Sequence, residues 1–158
     1  MQADEQREDR EEYKIVKLFP YEVGKFWAFL KQSLIENPPE GAPLTEGVFT
    51  HILFTLLKGY SSVFMIVDKE STPVGYAITL INRDFMSGVD NLYIWHFSKI
   101  SPLSFPAIRA LHKGLSKYAK GMGCHSIRAV THEPVLKKLY SLFGADVSGT
   151  IINVSLEE

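Results

Sequence analysis

Among the side chains of this sequence that could do chemistry are the phenol of Tyr140, several imidazoles and a single thiol. Tyr140 lies in the segment EPVLKKLYSLFG, and its phenol can donate a proton to a leaving group. No two histidines stand at the H-x-x-x-H spacing of a metal site, so we expect no bound metal. The histidines are His51, His96, His112, His125 and His132.

Each of these groups has a structural interpretation as well as a chemical one. Tyr140 is either a general acid or a packing residue among the leucines and phenylalanine of its short helix. His96 and His132 are either bases or hydrogen-bonded core groups, and the second interpretation is favoured. Cys124 is the only cysteine, so an internal disulfide and a cysteine zinc cluster are excluded, and a reducing intracellular setting is expected.

A second group of polar residues lies in the segment SPLSFPAIRA, where a strand gives way to a helix. Ser101 and Ser104 offer hydroxyls, but Pro102 and Pro106 each remove a backbone N–H. Arg109 begins a basic stripe that recurs every four residues along the predicted helix, through Lys113 and Lys117. Such a stripe is either an anion-binding face or an ordinary solvated face.

The elements that would position these residues follow from hydrophobic periodicity and from Gly and Pro. Their order, β-α-α-β-β-β-α-β-α-β, predicts a mixed α/β sheet with an antiparallel first half and a βαβ unit later. The predicted strands are 14–19, 62–67, 73–81, 91–97, 126–131 and 150–156. The predicted helices are 21–36, a helix between Thr45 and Gly59, 107–120 and 133–144.

Composition limits the class of protein. The chain has 158 residues, 46% of them apolar, a net charge of −1 and one acidic segment, 1–13, with a local charge of −4. We therefore expect one domain, 14–158, preceded by a charged arm, 1–13, that is either solvated or docks on a basic partner. Nucleic acid is not expected as a partner, because phosphate binding needs a basic surface. No apolar run reaches the length of a membrane span.

Three short motifs, in this order, resemble the GCN5-related N-acetyltransferases (GNAT superfamily). PVGYAITL is similar to the third strand of that family, and LYIW is similar to its fourth. HEPVLKKLYSLFGADV resembles the family pattern Asn-x-x-Ala-x-x-x-Tyr-x-x-x-Gly-Phe, with Tyr140 and Gly144 at the Tyr and Gly and with His132 in place of the Asn.

The resemblance implies a fold, a cofactor and a site. The fourth and fifth strands would splay apart as a parallel pair and hold the thioester of acetyl-CoA, with Ile94 and His96 on one wall. Tyr140 would be the general acid. The pyrophosphate would lie at the start of the next helix, against Ser101, Ser104, Ala107, Ile108 and Arg109.

The segment SPLSFPAIRA departs from the glycine-rich pattern that this family uses to bind pyrophosphate. Glycines let the backbone approach the phosphates, whereas here two prolines delete N–H groups and Leu103 and Phe105 add bulk. Two hypotheses follow. The first is a catalytically silent protein that acts by binding a protein partner. It would be loosely similar to small acetyltransferase-like proteins of tailed bacteriophages, and would act in the host cytoplasm or in the virion. The second is an active acetyl-CoA-dependent N-acetyltransferase acting on an amine.

Overall fold

The structure is a computed structural model that describes residues 12–39 and 41–130, together with Lys137, Tyr140, Ser141, Gly144 and Val154. Its strands are β1 (Lys14–Lys17), β2 (Ser61–Val67), β3 (Pro73–Arg83), β4 (Asp90–Lys99) and β5 (Ser126–Ala129). Its helices are α1 (Pro20–Glu36), α2 (Glu46–Leu57) and α3 (Phe105–Gly121). The predicted arm lies outside the described residues except at its end. The predicted helix 133–144 and strand 150–156 lie outside them except at the five single positions just named.

The five strands form one sheet in the order β1-β2-β3-β4-β5, which confirms the predicted mixed α/β class. The first four strands are antiparallel, and β4 pairs with β5 in parallel. The connection from β4 to β5 passes through α3, as expected for a parallel pair, which needs a crossover.

Helices cover both faces of the sheet, so β2 and β3 are buried on two sides. One cluster packs α1 and α2 against the face that carries Val63, Met65, Tyr76 and Ile78. The other packs α3 against the opposite face. Burial on both faces explains why SVFMIV is a continuous apolar run and does not alternate with polar residues.

Local signals set the helix ends. The Thr45 side chain accepts a hydrogen bond from the Val48 N–H at 3.3 Å, which confirms it as the N-cap of α2. Helix α3 crosses β1 at a glycine: a Cβ placed on Gly114 would lie 3.0 Å from Cβ and Cγ1 of Ile15. This close approach fixes the position of α3 over the sheet. No helix in the described part of the chain has the length and hydropathy needed to cross a membrane.

Candidate functional site

The first turn of α3 has few backbone N–H groups to offer an anion. The N-cap is Ser104, whose backbone is extended (φ −82°, ψ 161°) and whose Oγ accepts the N–H of Ala107 at 3.3 Å. The N–H of Ile108 donates to the Ser104 carbonyl at 3.3 Å, and Pro106 has no N–H. The second, third and fourth helical positions are therefore already paired or lack a donor.

The loop that leads into α3 is held against the sheet. The N–H groups of Ile100 and Ser101 both donate to the carbonyl of Val74, at 2.9 and 3.2 Å. Leu103 packs against the core under α3, and its Cδ2 would lie 3.4 Å from a Cβ placed on Gly75. The backbone before Ser104 is thus committed to the sheet and the core.

The hydroxyl of Ser104 has a second partner. Its Oγ donates to the hydroxyl oxygen of Tyr13 at 3.2 Å, and the Tyr13 ring packs against the core cluster under α3. Tyr13 is the last residue of the segment 1–13, which was predicted to be a charged arm. The only sequence signal for this contact is an aromatic residue at the boundary between an acidic segment and a strand.

The predicted cofactor residues on α3 differ in exposure. Ala107 and Ile108 have buried side chains, and Ala107 belongs to the core cluster between α3 and the sheet. Arg109 is exposed, and its guanidinium carbon lies 4.7 Å from the centre of the Phe105 ring, in cation–π geometry. Lys113 and Lys117 are exposed on the same side of the helix. This arrangement keeps the basic stripe at the surface.

The described pairing of the two parallel strands ends at the level where the resemblance predicts a gap. Pairing between β4 and β5 runs from Asn91 and Ser126 to Ile94 and Ala129, whereas β4 itself continues to Lys99. At the closed end, the Ser126 hydroxyl donates to Asn91 Oδ1 at 2.7 Å. Among the described residues, which reach Val130 on this side, β5 has no pair with β4 beyond Ile94.

A β-bulge in β4 changes which face its side chains occupy. The register with β3 shifts between Ile78, which faces His96, and Thr79, which faces Ile94, so Trp95 is an extra residue. Ile94 belongs to the cluster under α3, whereas the His96 ring lies 6.1 Å from both Tyr76 and Trp95 on the other face. Ile94 and His96 therefore lie on opposite faces of the sheet, since one inserted residue reverses the alternation of a strand.

His96 is a neutral group in a mostly apolar site. It is buried, and its Nε2 has no hydrogen-bond partner among the described residues. Burial lowers the pKa of His96 to about 4. The imidazole is therefore uncharged at neutral pH and accepts a proton only weakly. A general base works best with a pKa near the operating pH, so His96 is poorly suited to that role.

Polar side chains that the sequence analysis did not single out lie next to His96. The fully buried Tyr76 donates its hydroxyl hydrogen bond to Ser33 Oγ at 2.9 Å, and Ser33 Oγ lies 3.4 Å from Ser98 Oγ. Burial raises the pKa of Tyr76, so this phenol stays protonated. The three hydroxyls tie α1 to β3 and β4. No sequence pattern marks them, because their separations of 43 and 65 residues are set by the fold.

Tyr140 lies against α3. Its ring meets that of His112 edge to face, with 6.1 Å between centroids, and burial raises the pKa of Tyr140 to about 12. Lys137, Tyr140 and Ser141 are helical, and Gly144 has a φ of +80°, as expected for a glycine that ends a helix. Proton transfer from this phenol to a thiolate would be unfavourable, because the pKa of an ordinary thiol, about 8.5, lies roughly 3.5 units below that of Tyr140.

Five of the predicted site residues form a group and three lie apart from it. The five at the start of α3 are Ser101, Ser104, Ala107, Ile108 and Arg109. Ile94 is the last residue of β4 that pairs with β5, His96 faces the α1 and α2 side of the sheet, and Tyr140 lies against His112 of α3. Among the described residues, no three His, Cys, Asp or Glu side chains are grouped as metal ligands.

The chain is similar in structure to solved acetyltransferases. AAC(6')-Iy in complex with a bisubstrate analogue, CoA-S-monomethyl-acetylneamine, matches with a TM-score of 0.68 and 13% identity, over 92% of this chain and 98% of that one. An aminoglycoside acetyltransferase from an uncultured soil metagenomic sample matches with a TM-score of 0.65 and 15% identity, over 92% and 99%. A Trypanosoma brucei acetyltransferase gives a TM-score of 0.61 and 16% identity, over 92% and 100%.

Sequence comparison adds no relative to these. No family model and no curated protein matches the chain. The structural matches give no support for the looser similarity to phage proteins, but they cover nearly all of both chains. Together with the order of the strands and the parallel β4–β5 pair, they show that this chain has the fold of the GNAT acetyltransferases.

Proposed function

We propose that this GNAT-fold protein does not transfer acetyl groups from acetyl-CoA and acts by binding another protein. The observation that carries the proposal is the first turn of α3, where the hydroxyl and carbonyl of Ser104 already accept two N–H groups and Pro106 removes a third. A pyrophosphate at this helix start would have to displace the cap before it met those amides.

The energetic consequence is large. A hydrogen bond from an amide to a charged phosphate oxygen contributes about 1.5–3 kcal/mol. The loss of two such bonds weakens binding by roughly two to four orders of magnitude, since each 1.4 kcal/mol is about a tenfold change in affinity. Arg109 does not replace them, because it is an exposed cation stacked on Phe105.

The groups available for catalysis also have unsuitable pKa values. Burial holds Tyr140 at a pKa of about 12 and His96 at a pKa of about 4, on either side of the range in which a general acid or base works well at neutral pH. His96 is better explained as part of the packed interior, and Tyr140 as a partly buried ring that packs on His112 of α3. A virion role is a sequence-based prediction that this proposal does not include.

One observation favours the alternative, an active N-acetyltransferase acting on an amine with Tyr140 as general acid. Strands β4 and β5 form a parallel pair whose described pairing ends at Ile94 and Ala129, and an opening beyond these residues is where the resemblance would put the thioester. A structural neighbour is a complex with a CoA bisubstrate analogue.

Calorimetric titration with acetyl-CoA separates the two functions. We expect the wild-type protein to show no binding at micromolar cofactor and no acetylation of a panel of amines. The Ser104→Gly/Pro106→Ala variant frees the Ala107 amide and restores one at residue 106, so its affinity should rise at least tenfold, with Ser101→Gly as a control that should not gain. Micromolar binding by the wild type, with turnover that falls in Tyr140→Phe, would replace this proposal with the alternative.

A further inference from the structure

One end of the molecule exposes an unusual number of large apolar side chains. At this end α2 and α3 finish, β1 leads into α1, β2 begins, and the hairpin between β3 and β4 turns. Of the fourteen exposed large hydrophobic residues among those described, eight lie here. The eight, which we call the apolar end, are Phe19, Tyr21, Phe54, Leu57, Tyr60, Phe85, Met86 and Met122.

The area of the apolar end is that of a protein interface. A fully exposed side chain of this size presents on the order of 200 Å², and the exposed fractions of the eight range from 45% to 96%. Together they present on the order of 1,000 Å², and a standard interface buries about 800 Å² per partner. Soluble monomers seldom expose apolar patches larger than a few hundred Å².

The most exposed pair stands on a braced hairpin turn. Phe85 is 96% exposed and Met86 90% exposed. The carboxylate of Asp84 accepts the N–H groups of Met86 and Ser87, at 3.1 and 2.7 Å, and the N–H of Gly88 donates to the Asp84 carbonyl at 2.8 Å. The turn is thus held before any partner is present, which lowers the entropic cost of binding through Phe85.

A salt bridge closes the base of the same hairpin. Arg83 donates to both carboxylate oxygens of Asp90, at 2.9 and 3.1 Å, across the last pair of the β3–β4 ladder. The charged side chains of the turn therefore pair with each other or with the turn backbone, and the two apolar side chains project from it.

A hollow of about 120 Å³ lies beside this hairpin, at the same end of the sheet. Its apolar and aromatic walls are Tyr60, Ile81, Leu92, Tyr118 and Met122, and Ser62 and Thr79 add hydroxyls. Ile81 and Leu92 face each other two positions before the salt-bridged pair at the base of the hairpin. Cavities of roughly 150 Å³ accept a benzene ring, so a phenylalanine side chain is close to the size of this hollow.

We propose that the apolar end is the interface of a symmetric dimer of this chain, in which Phe85 of each copy enters the hollow of the other. Because the aromatic side chain and the hollow lie at the same end, one twofold axis satisfies both contacts and closes the assembly. If they lay at opposite ends, the same contact would build an open chain. The dimer forms whether or not the protein binds acetyl-CoA, since the start of α3 lies at the other end of that helix.

Sedimentation of the intact chain tests the dimer. We expect a dimer at about 100 µM protein that dissociates on dilution, since interfaces of this size give micromolar or tighter binding. Phe85→Asp should sediment as a monomer at the same concentration. Ile35→Asp, which changes a 51% exposed apolar residue on α1 outside the apolar end, should remain dimeric. Circular dichroism of both variants checks that each is folded.

Cross-linking tests the specific contact, in a Cys124→Ser background that removes the native thiol. An equimolar mixture of Phe85→Cys and Met122→Cys chains should form a mixed disulfide at least tenfold faster than either chain alone. A monomeric wild type at about 100 µM overturns the proposal, as does a Phe85→Asp variant that stays dimeric or a mixture that cross-links no faster than its components. Monomerisation by both aspartate variants would overturn it as well, because the interface would then not be confined to the apolar end.

Discussion

The hydroxyl of Ser104 lies 3.2 Å from the hydroxyl of Tyr13 and joins the beginning of β1 to the N-cap of α3. The same oxygen accepts the N–H of Ala107. The resemblance places Ser104 against the pyrophosphate of the cofactor. Its hydroxyl instead makes hydrogen bonds within the chain, which stabilise the start of α3.

Removal of the cap should destabilise the protein measurably. We expect Ser104→Ala to lower the free energy of unfolding by about 1 kcal/mol, within the 0.5–2 kcal/mol typical of N-caps. Ser101→Ala is the matched control and should change it by less than about 0.5 kcal/mol, because Ser101 is held through its backbone N–H. Urea denaturation measures both. Equal effects of the two substitutions would show that the Ser104 hydroxyl has no special role.

The hydroxyls of Ser33 and Tyr76 should be energetically coupled. Ser33→Ala removes the acceptor of the 2.9 Å hydrogen bond from the fully buried Tyr76 hydroxyl and leaves Ser98 as its remaining hydroxyl partner, which costs about 1–3 kcal/mol. Tyr76→Phe should cost less, because Ser33 keeps Ser98 as a neighbour. The double variant should be more stable than the sum of the two single effects implies. A double-mutant cycle by urea denaturation measures the coupling, and an additive result would rule it out.

His96 should make stability depend on pH. Its pKa is about 4 in the folded protein and about 6.5 when unfolded, so the unfolded chain binds a proton more readily. The contribution to stability is complete above pH 6.5 and decreases as pH falls towards 4, by about 2 kcal/mol between pH 7 and pH 5. His96→Gln should flatten this part of the stability curve, and His51→Gln, on the exposed side of α2, should leave it as in the wild type. The prediction fails if both variants retain the wild-type slope.

Gly114 should resist substitution although it lies within a helix. Alanine has a higher helix propensity than glycine by about 1 kcal/mol, but a Cβ at this position would lie 3.0 Å from Ile15. We expect Gly114→Ala to destabilise the protein by about 1–3 kcal/mol, the usual cost of overpacking. Gly121→Ala, where nothing lies within 4 Å of the added methyl, should be neutral or stabilising. Thermal unfolding of the two variants compares them, and a stabilised Gly114→Ala would show that α3 can move away from β1.

Much of the fold could be predicted because local signals agree with the global arrangement. Thr45 caps α2, Pro106 stands in the first turn of α3, and the apolar runs of β2 and β3 match their burial on both faces. The bulge at Trp95 could not be predicted, because NLYIWHF has the composition of a regular strand and the extra residue is visible only against β3. That single residue decides where His96 points.

The candidate site was predicted less well, for a related reason. The absence of glycines could be seen in SPLSFPAIRA, but the sequence did not show which residues of the chain hydrogen-bond to this segment. Tyr13 is 91 residues away from its partner Ser104, and Val74 is 27 residues away from its partner Ser101. Only the folded sheet brings each pair together. The burial that moves the pKa values of His96 and Tyr140 is likewise a property of packing.

Amide chemical shifts at the start of α3 test the central claim most directly. Two-dimensional NMR of the labelled protein, with acetyl-CoA added to millimolar concentration, reports on the backbone N–H groups of Ala107 and Ile108. We predict no saturable shift at either amide, because both already donate to Ser104. A saturable shift of both amides at micromolar cofactor would contradict the account, since it would show that the pyrophosphate binds where the cap now lies.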